Sequence, residues 1–286
     1  MKNRQLKIVL VLSMIVLAGL ITAFWHSLPD PLFSDPYCTV MEDRDGNLLG
    51  ARIADDSQWR FPENPDVPVK FRKAICNFED KRFFSHPGVD PLALGRALYQ
   101  NIKEGEIVSG GSTLTMQVVR LMRKDKPRTI KEKLLEMILA LRIEMGHSKE
   151  EILALYASHA PFGGNIVGLD AAAWRYFNRP PAALSWAETA TLAVLPNAPA
   201  LIHPGRNREK LLEKRDGLLE ELFERGIMDS LTYASSLLEP LPQKPYPLPM
   251  DAPHLLNRIY AGSKGERVRT TLDPHLQNQV AVILRR

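Results

Sequence analysis

From Ile8 to Phe24 the chain carries no charged residue, and Lys2, Arg4 and Lys7 stand just before this run. No other segment restricts the fold as tightly. At about 1.5 Å rise per residue it reaches the short end of what crosses hydrocarbon as a helix, and Trp25 closes it with an interfacial aromatic. The basic flank predicts that this end stays cytoplasmic and that everything after Trp25 lies outside. A cleaved signal peptide is the competing reading. The run is longer than the usual apolar region of a signal peptide and no small-x-small cleavage site follows, so the expectation is a single-pass anchor over 1–25.

The 286 residues, 45% apolar and 24% charged, suit one large folded domain with appendages and exclude a disordered chain. The net charge of +4 is compatible with an anionic lipid surface or a pyrophosphate ligand, and equally with an ordinary surface. Cys38 and Cys76 fall outside the membrane under this topology and could pair there. No CxxC or HExxH occurs, which argues against a structural zinc site or a zincin.

Residues 26–66 read as a Pro-rich linker, Leu28 to Pro36, followed by a β-hairpin over Thr39–Ile53 with Asp45-Gly46-Asn47 at its turn. From Val67 the pattern becomes helical. Pro68 opens a helix with Phe71, Ala74, Ile75 and Phe78 on one face, and Asp90-Pro91 caps the next, through about Ile102. Further helices are predicted over Ser112–Met122, Thr129–Met145, Lys149–Ser158, Asp170–Phe177, Ser185–Leu195 and Arg208–Arg225. Ser148 with Glu151 and Ser185 with Glu188 match capping boxes. Pro240 to Pro253 reads as a linker, and Val268 to Arg286 as the start of a unit that the chain does not finish.

Three segments could carry chemistry. Glu79 and Asp80 end a helix, beside Lys81, Arg82 and the aromatics Phe78, Phe83 and Phe84, with His86 placed to cap the turn before Pro87. Carboxylates at a helix C-terminus oppose its dipole, and aromatic cover raises a carboxyl pKa while the cations lower it, as a base in a cleft requires. A solvated charge cluster at a chain turn is the plainer reading. Next, Gly110-Gly111-Ser112 precede a helix on which Thr113, Gln117 and Arg120 fall on one polar stripe. Exposed amides at such a start suit an anion, although an ordinary capped amphipathic helix has the same pattern. Last, Leu134, Leu135, Met137, Ile138, Leu139, Ala140, Leu141 and Ile143 are apolar on nearly every side of one helix with Glu136 in its middle, which predicts a buried helix. Glu136 then either pairs with Lys133 one turn earlier or lines a site. His147 and His159 read as surface residues, and Trp174, Tyr176 and Phe177 as core.

In this order, the segments Glu79–Phe83, His86–Asp90, Gly110–Thr115, Lys131–Glu144, Ile152–Tyr156, Tyr176-Phe177 and Ala190–Pro199 resemble the glycosyltransferase family 51 domain of class A penicillin-binding proteins. The likeness covers about 67–240. Asn165–Gly168 and Ser185-Trp186 are similar to the penicillin-binding protein 1C branch. The resemblance implies a mainly α, lysozyme-like fold on the outer face of the bacterial inner membrane. It implies polymerisation of lipid II onto a lipid-linked glycan chain with inversion, other cell-wall synthesis proteins as partners, and no role for nucleic acid. Glu79 would be the general base and Asp80 its support. Glu136 would act at the leaving diphosphate, directly or through Mg2+, while Ser112, Gln117, Arg120 and Lys133 contact the diphosphate or its sugar.

The sequence departs from that family around Tyr156, where Ala154 and Ser158 replace a usual carboxylate and asparagine and His159 follows. A catalytically weak scaffold that binds lipid II therefore stays open as an alternative, as does a lysozyme-like glycan cleaver. Residues 241–286, through Arg269–Gln277, resemble the entry to a transpeptidase domain. Neither SxxK nor KTG occurs, so no transpeptidase activity is expected of this chain, which reads as a truncated form.

Overall fold

The computed structural model describes residues 2–105, 110–124, 126–127, 129–197 and 204–284. Ala198 and Pro199, the end of one resembling stretch, and the final Arg286 lie outside the described residues. Helix α1 (Lys2–Trp25) contains one span, Gln5–Trp25, long and apolar enough to cross a membrane, with mean hydropathy 2.6 and none of it buried.

The hairpin forms as expected: β1 (Thr39–Glu42) and β2 (Leu48–Arg52) pair antiparallel. Its turn is organised by Asp43 rather than by the Asp45-Gly46-Asn47 set. The Asp43 carboxylate accepts from the amides of Asp45 and Asn47 and from the Asn47 side chain, the pattern of an Asx turn. Two-residue strands β3 (Trp59–Arg60) and β4 (Ile166–Val167) pair in parallel and join the linker to the helical body.

The body consists of α2 (Val69–Glu79), α3 (Pro91–Glu104), α4 (Leu114–Arg123), α5 (Ile130–Glu144), α6 (Lys149–His159), α7 (Leu169–Phe177), α8 (Trp186–Val194), α9 (Arg208–Glu224) and α10 (Ser230–Leu238). Local chemistry sets most of their starts. Asp90 caps α3 with Pro91 in the first turn, Thr129 caps α5, and both capping boxes are present. α2 packs on α8, α4 on α5 and α6, and α8 on α9. Ala171, Ala172 and Ala173 of α7 and Ala187, Ala190 and Ala193 of α8 are buried, and such small side chains permit close helix approach. Around them Phe71, Ile75, Leu114, Met116, Ile143 and Ile152 are sealed from solvent, each contributing about 1.5–3 kcal/mol of apolar burial.

The chain then returns to the hairpin. Helix α11 (Pro253–Gly262) packs on β1 and β2, β5 (Arg267–Arg269) pairs parallel to β1, and α12 (Pro274–Leu284) follows. Arg267 clasps this return, donating to Glu42, to the Pro62 carbonyl and to Asp170 at the start of α7.

Two expectations fail here. Helix α5 is not enclosed: Glu136, Leu139, Ala140 and Ile143 are buried, while Ile130, Leu134, Ile138 and Leu141 lie on an exposed face. An all-round apolar pattern cannot distinguish protein core from hydrocarbon, and the Arg142 guanidinium of this helix donates to the Trp25 carbonyl and covers its ring at the end of α1. His159 is not a surface residue. Its ring stacks on Phe33 with centroids 3.5 Å apart, and Nε2 lies 2.8 Å from a Glu63 carboxylate oxygen. Both partners come from the linker, which α6 alone does not reveal. His147 is half-buried. Tyr176 is core, whereas Trp174 and Phe177 are half-buried against it. Cys38 and Cys76 are both buried and free; the Cys38 thiol donates to the Gln58 carbonyl.

Candidate active site

A cleft of ≈ 1180 Å³ opens between α2, α3, α4 and α5. Eight Lys and Arg side chains line it against five carboxylates, so its field favours an anionic occupant. Glu79, Ser112, Gln117, Arg120, Lys133 and Glu136, named from the sequence, all reach it.

Glu79 ends α2 and is half-buried. Gln117 Nε2 of α4 donates to Oε2 at 2.7 Å, and Asn197 Nδ2, from the turn after α8, approaches Oε1 at 3.3 Å. Burial raises the Glu79 pKa above the ordinary carboxylate range; the two amide donors and the charges of Lys214 and Arg120 offset part of that rise. The result is a carboxylate that holds a proton more readily than one in water, with donors that keep it usable as a base.

Asp80, the adjacent residue, turns inward. Its two oxygens lie 2.9 and 3.0 Å from His86 Nε2, and Oδ2 also accepts from the Leu114 amide at 3.0 Å. His86 Nδ1 accepts from the Gly88 amide, which places the proton of a neutral ring on Nε2, toward Asp80. His86 therefore does more than cap the turn: buried, it links Asp80 to the loop after it. That loop depends on Gly88, whose φ is +89°. A Cβ there would lie 2.8 Å from Glu144 Cγ and 2.9 Å from the Ala140 carbonyl oxygen.

The reading of the α4 start changes in two ways. The cap is Thr113, which accepts from the Met116 amide and donates to the Gly88 carbonyl, so its hydroxyl is buried and leaves the polar stripe to Gln117 and Arg120. The Leu114 amide is not open to a ligand, because the Asp80 carboxylate already takes it. The start of α4 thus anchors the segment that carries Glu79.

Glu136 does not pair with Lys133. Arg120 binds it through two bonds, Nε to Oε1 at 2.9 Å and Nη2 to Oε2 at 2.8 Å, and approaches Ser112 Oγ at 3.4 Å. Lys133 donates instead to the Gly110 carbonyl. The expected cation finds no ready donor set here. Glu136 is a single carboxylate with both oxygens engaged by Arg120, and Glu132 nearby pairs with Arg123. Asp80, His86 and Asp90 could bring three ligand atoms within 4.8 Å of one another, but Arg82 engages both Asp90 oxygens and holds its pKa at about 2.

Several contributors escaped the sequence reading. Asn197 reaches Glu79 from far along the chain, and Lys214 donates in turn to Asn197. Behind the His86 loop, Glu144 accepts from Thr115 at 2.5 Å and from Lys149 at 2.7 Å, and Lys149 also donates to the His86 carbonyl. The only sequence signal for this truss is a charged pair at the α5–α6 junction.

The model of the Transglycosylase family matches residues 45–223, which contain Glu79, the α4 start and Glu136. This chain belongs to the transglycosylase family. It is 39% identical over 254 residues to penicillin-binding protein 1C of Escherichia coli (strain K12), covering 88% of this chain and 33% of that protein. To penicillin-binding protein 1A of Pseudomonas aeruginosa it is 35% identical over 232 residues, 77% of this chain and 28% of the relative. The counterpart in Aquifex aeolicus is 34% identical over 244 residues, 84% of this chain and 33% of the relative. The chain thus spans about a third of the length of these relatives. A crystal structure of penicillin-binding protein 1A from Haemophilus influenzae aligns over 85% of this chain and 28% of that one, with TM-score 0.40 and 18% identity.

Proposed function

We propose that the chain is a peptidoglycan glycosyltransferase that polymerises lipid II into glycan strands, with Glu79 as general base. The observation that carries this reading is Glu79 itself, a carboxylate with raised proton affinity in a cationic cleft that Arg120 and Lys133 also line. Glu79 takes the proton of the acceptor sugar 4-hydroxyl. As that oxygen bonds to the donor anomeric carbon, the bond to the diphosphate breaks on the opposite face and inverts the centre. Charge developing on the leaving diphosphate is met by Arg120 and Lys133, with Ser112 and Gln117 beside them. Glu136 keeps Arg120 extended and in place, as preorganised catalysis requires.

The anchor at Gln5–Trp25 and the exposed apolar face of α5 support a substrate presented from a bilayer. The α1 basic flank supports an inner-membrane protein with its body in the periplasm. Among the described residues neither Ala154 nor Ser158 lines the cleft; the Ser158 hydroxyl accepts from the Asn64 amide instead. The departures from the family pattern thus lie away from the base, which favours an active enzyme over a scaffold.

The test is incubation of detergent-solubilised protein with labelled lipid II. Glycan polymer is expected from wild type. Glu79→Gln should reduce it by about 10²–10⁴-fold, the usual worth of a general base, with little change in thermal melt. Folded protein that binds lipid II yet makes no polymer would sink the reading, and digestion of purified sacculi would replace it with the glycan cleaver.

A further inference from the structure

Of the two oxygens of Glu79, one is held by Gln117 of the cleft wall, and the other depends on residues that arrive from elsewhere. Asn197 closes the short turn after α8 and presents Nδ2 to Oε1. Behind it, Lys214 of α9 donates to Asn197 Oδ1 at 2.7 Å. An amide side chain can offer either its donor or its acceptor end, and the surrounding hydrogen bonds decide which. A lysine ammonium has only donors. It holds the carbonyl end of Asn197 toward itself and so turns the NH2 end toward Glu79. With an apolar group in place of Lys214, the carbonyl end of the amide loses its partner and Nδ2 is held by the Glu79 carboxylate alone, so the donor is less firmly placed.

We infer that Lys214 is a positioning residue for Glu79 and acts through Asn197, fixing the amide orientation that stabilises the ionised base. The inference rests on the reading of Glu79 as the base. Lys214 is half-buried, 5.9 Å from the Phe78 ring centroid, on a helix whose charge-rich sequence otherwise describes a solvated face. Burial and the neighbouring Lys210 lower its pKa, while the charge of Glu79 acts in the opposite direction. The remaining groups facing the base are Gln117 and Arg120 of α4 and Tyr156 of α6, whose buried hydroxyl has no partner among the described residues. Asp80 beside it is turned to His86 and Leu114. Among these, Lys214 is a cation bound neither to Glu136 nor to another carboxylate in the described ion pairs.

The experiment is the pH profile of kcat/KM on lipid II for wild type, Lys214→Met, Lys214→Arg and Asn197→Asp. Removing the charge raises the Glu79 pKa, so the acid limb of the Lys214→Met profile moves to higher pH. A displacement of about one unit costs about tenfold in rate below the limb and nothing well above it. Lys214→Arg keeps the wild-type limb. Asn197→Asp, which sets a second carboxylate against the first, displaces it further in the same direction. A Lys214→Met profile lowered by the same factor at every pH would mean that the lysine only supports the fold, and would overturn the relay. Carbon-13 titration of the Glu79 carboxyl, assigned by its loss in Glu79→Gln, gives the same answer without turnover. An upward displacement in Lys214→Met, when the wild type itself makes no polymer, would retain the relay and reject the enzymatic reading, whereas an unmoved carboxyl with an active wild type would do the reverse.

Discussion

The two sides of the cleft are built by different rules. The wall behind the base, made of α2, α4, α6 and α8, is sealed: Asp80, His86, Thr113 and Thr115 are buried there, each with a hydrogen-bond partner. The lip formed by α3 and α5 instead exposes Leu92, Leu98, Tyr99, Ile102, Leu134 and Ile138. Soluble surfaces rarely carry so many large apolar groups on two helices of one cleft, and such patches mark contact with a membrane, a partner or an apolar ligand. On the proposed function, the contrast gives the chemistry to a hydrogen-bonded frame and lipid contact to a surface that contributes little to folding.

Breaking the wall should have the largest effect. Gly88→Ala introduces a Cβ into space held by Glu144 and the Ala140 carbonyl, at a φ that disfavours any side chain. We expect a loss of about 2–3 kcal/mol in chemical denaturation, with polymerisation reduced alongside. A stability change below about 0.5 kcal/mol would mean that the His86 loop yields, and the wall would not be rigid.

An intermediate effect is expected from pH. Asp90, which caps α3 and pairs with Arg82, has its pKa lowered to about 2, chiefly by the Arg82 hydrogen bonds. A depressed carboxylate stabilises the fold fully above its unfolded pKa of about 3.9 and loses that contribution as pH falls through its folded value. Wild type should therefore lose stability between about pH 4 and pH 2 more steeply than Asp90→Asn, as followed by circular dichroism. Parallel curves would detach the α3 cap from the wall.

The smallest effect on stability should come from the lip. Leu134→Ser with Ile138→Ser should change the melt in detergent by less than about 0.5 kcal/mol per site, as exposed positions do. In liposomes carrying lipid II the same protein should polymerise measurably less than wild type, although the α1 span holds both proteins in the bilayer. An equal rate would reduce the lip to ordinary surface and remove half of the comparison.

Much of the frame could be read in the sequence because its signals are local. Asp90-Pro91, Ser148 with Glu151 and Ser185 with Glu188 each place a helix start within a few residues. Glu79 stood out as a carboxylate at a helix end beside cations and aromatics, Gln117 and Arg120 as a polar stripe, and Glu136 as a carboxylate inside an apolar run. What stayed hidden depends on distance along the chain. Asn197 reaches Glu79 across 118 positions, and His159 is buried by Phe33 and Glu63 of the linker. The Arg120–Glu136 pair joins two helices whose packing no periodicity specifies. The exposure of α5's outer face was equally unreadable, because an all-round apolar pattern reads as a buried helix.

The bond from the Leu114 amide to Asp80 has a further consequence. With that dipole end already taken by the protein's own carboxylate, an incoming anion is left to the side chains of lysine and arginine. Such charges at a partly open cleft are damped by mobile ions over a Debye length of about 8 Å at physiological ionic strength. Occupancy of the cleft should therefore follow the ionic strength around the protein closely, while the folded frame around the base remains indifferent to it.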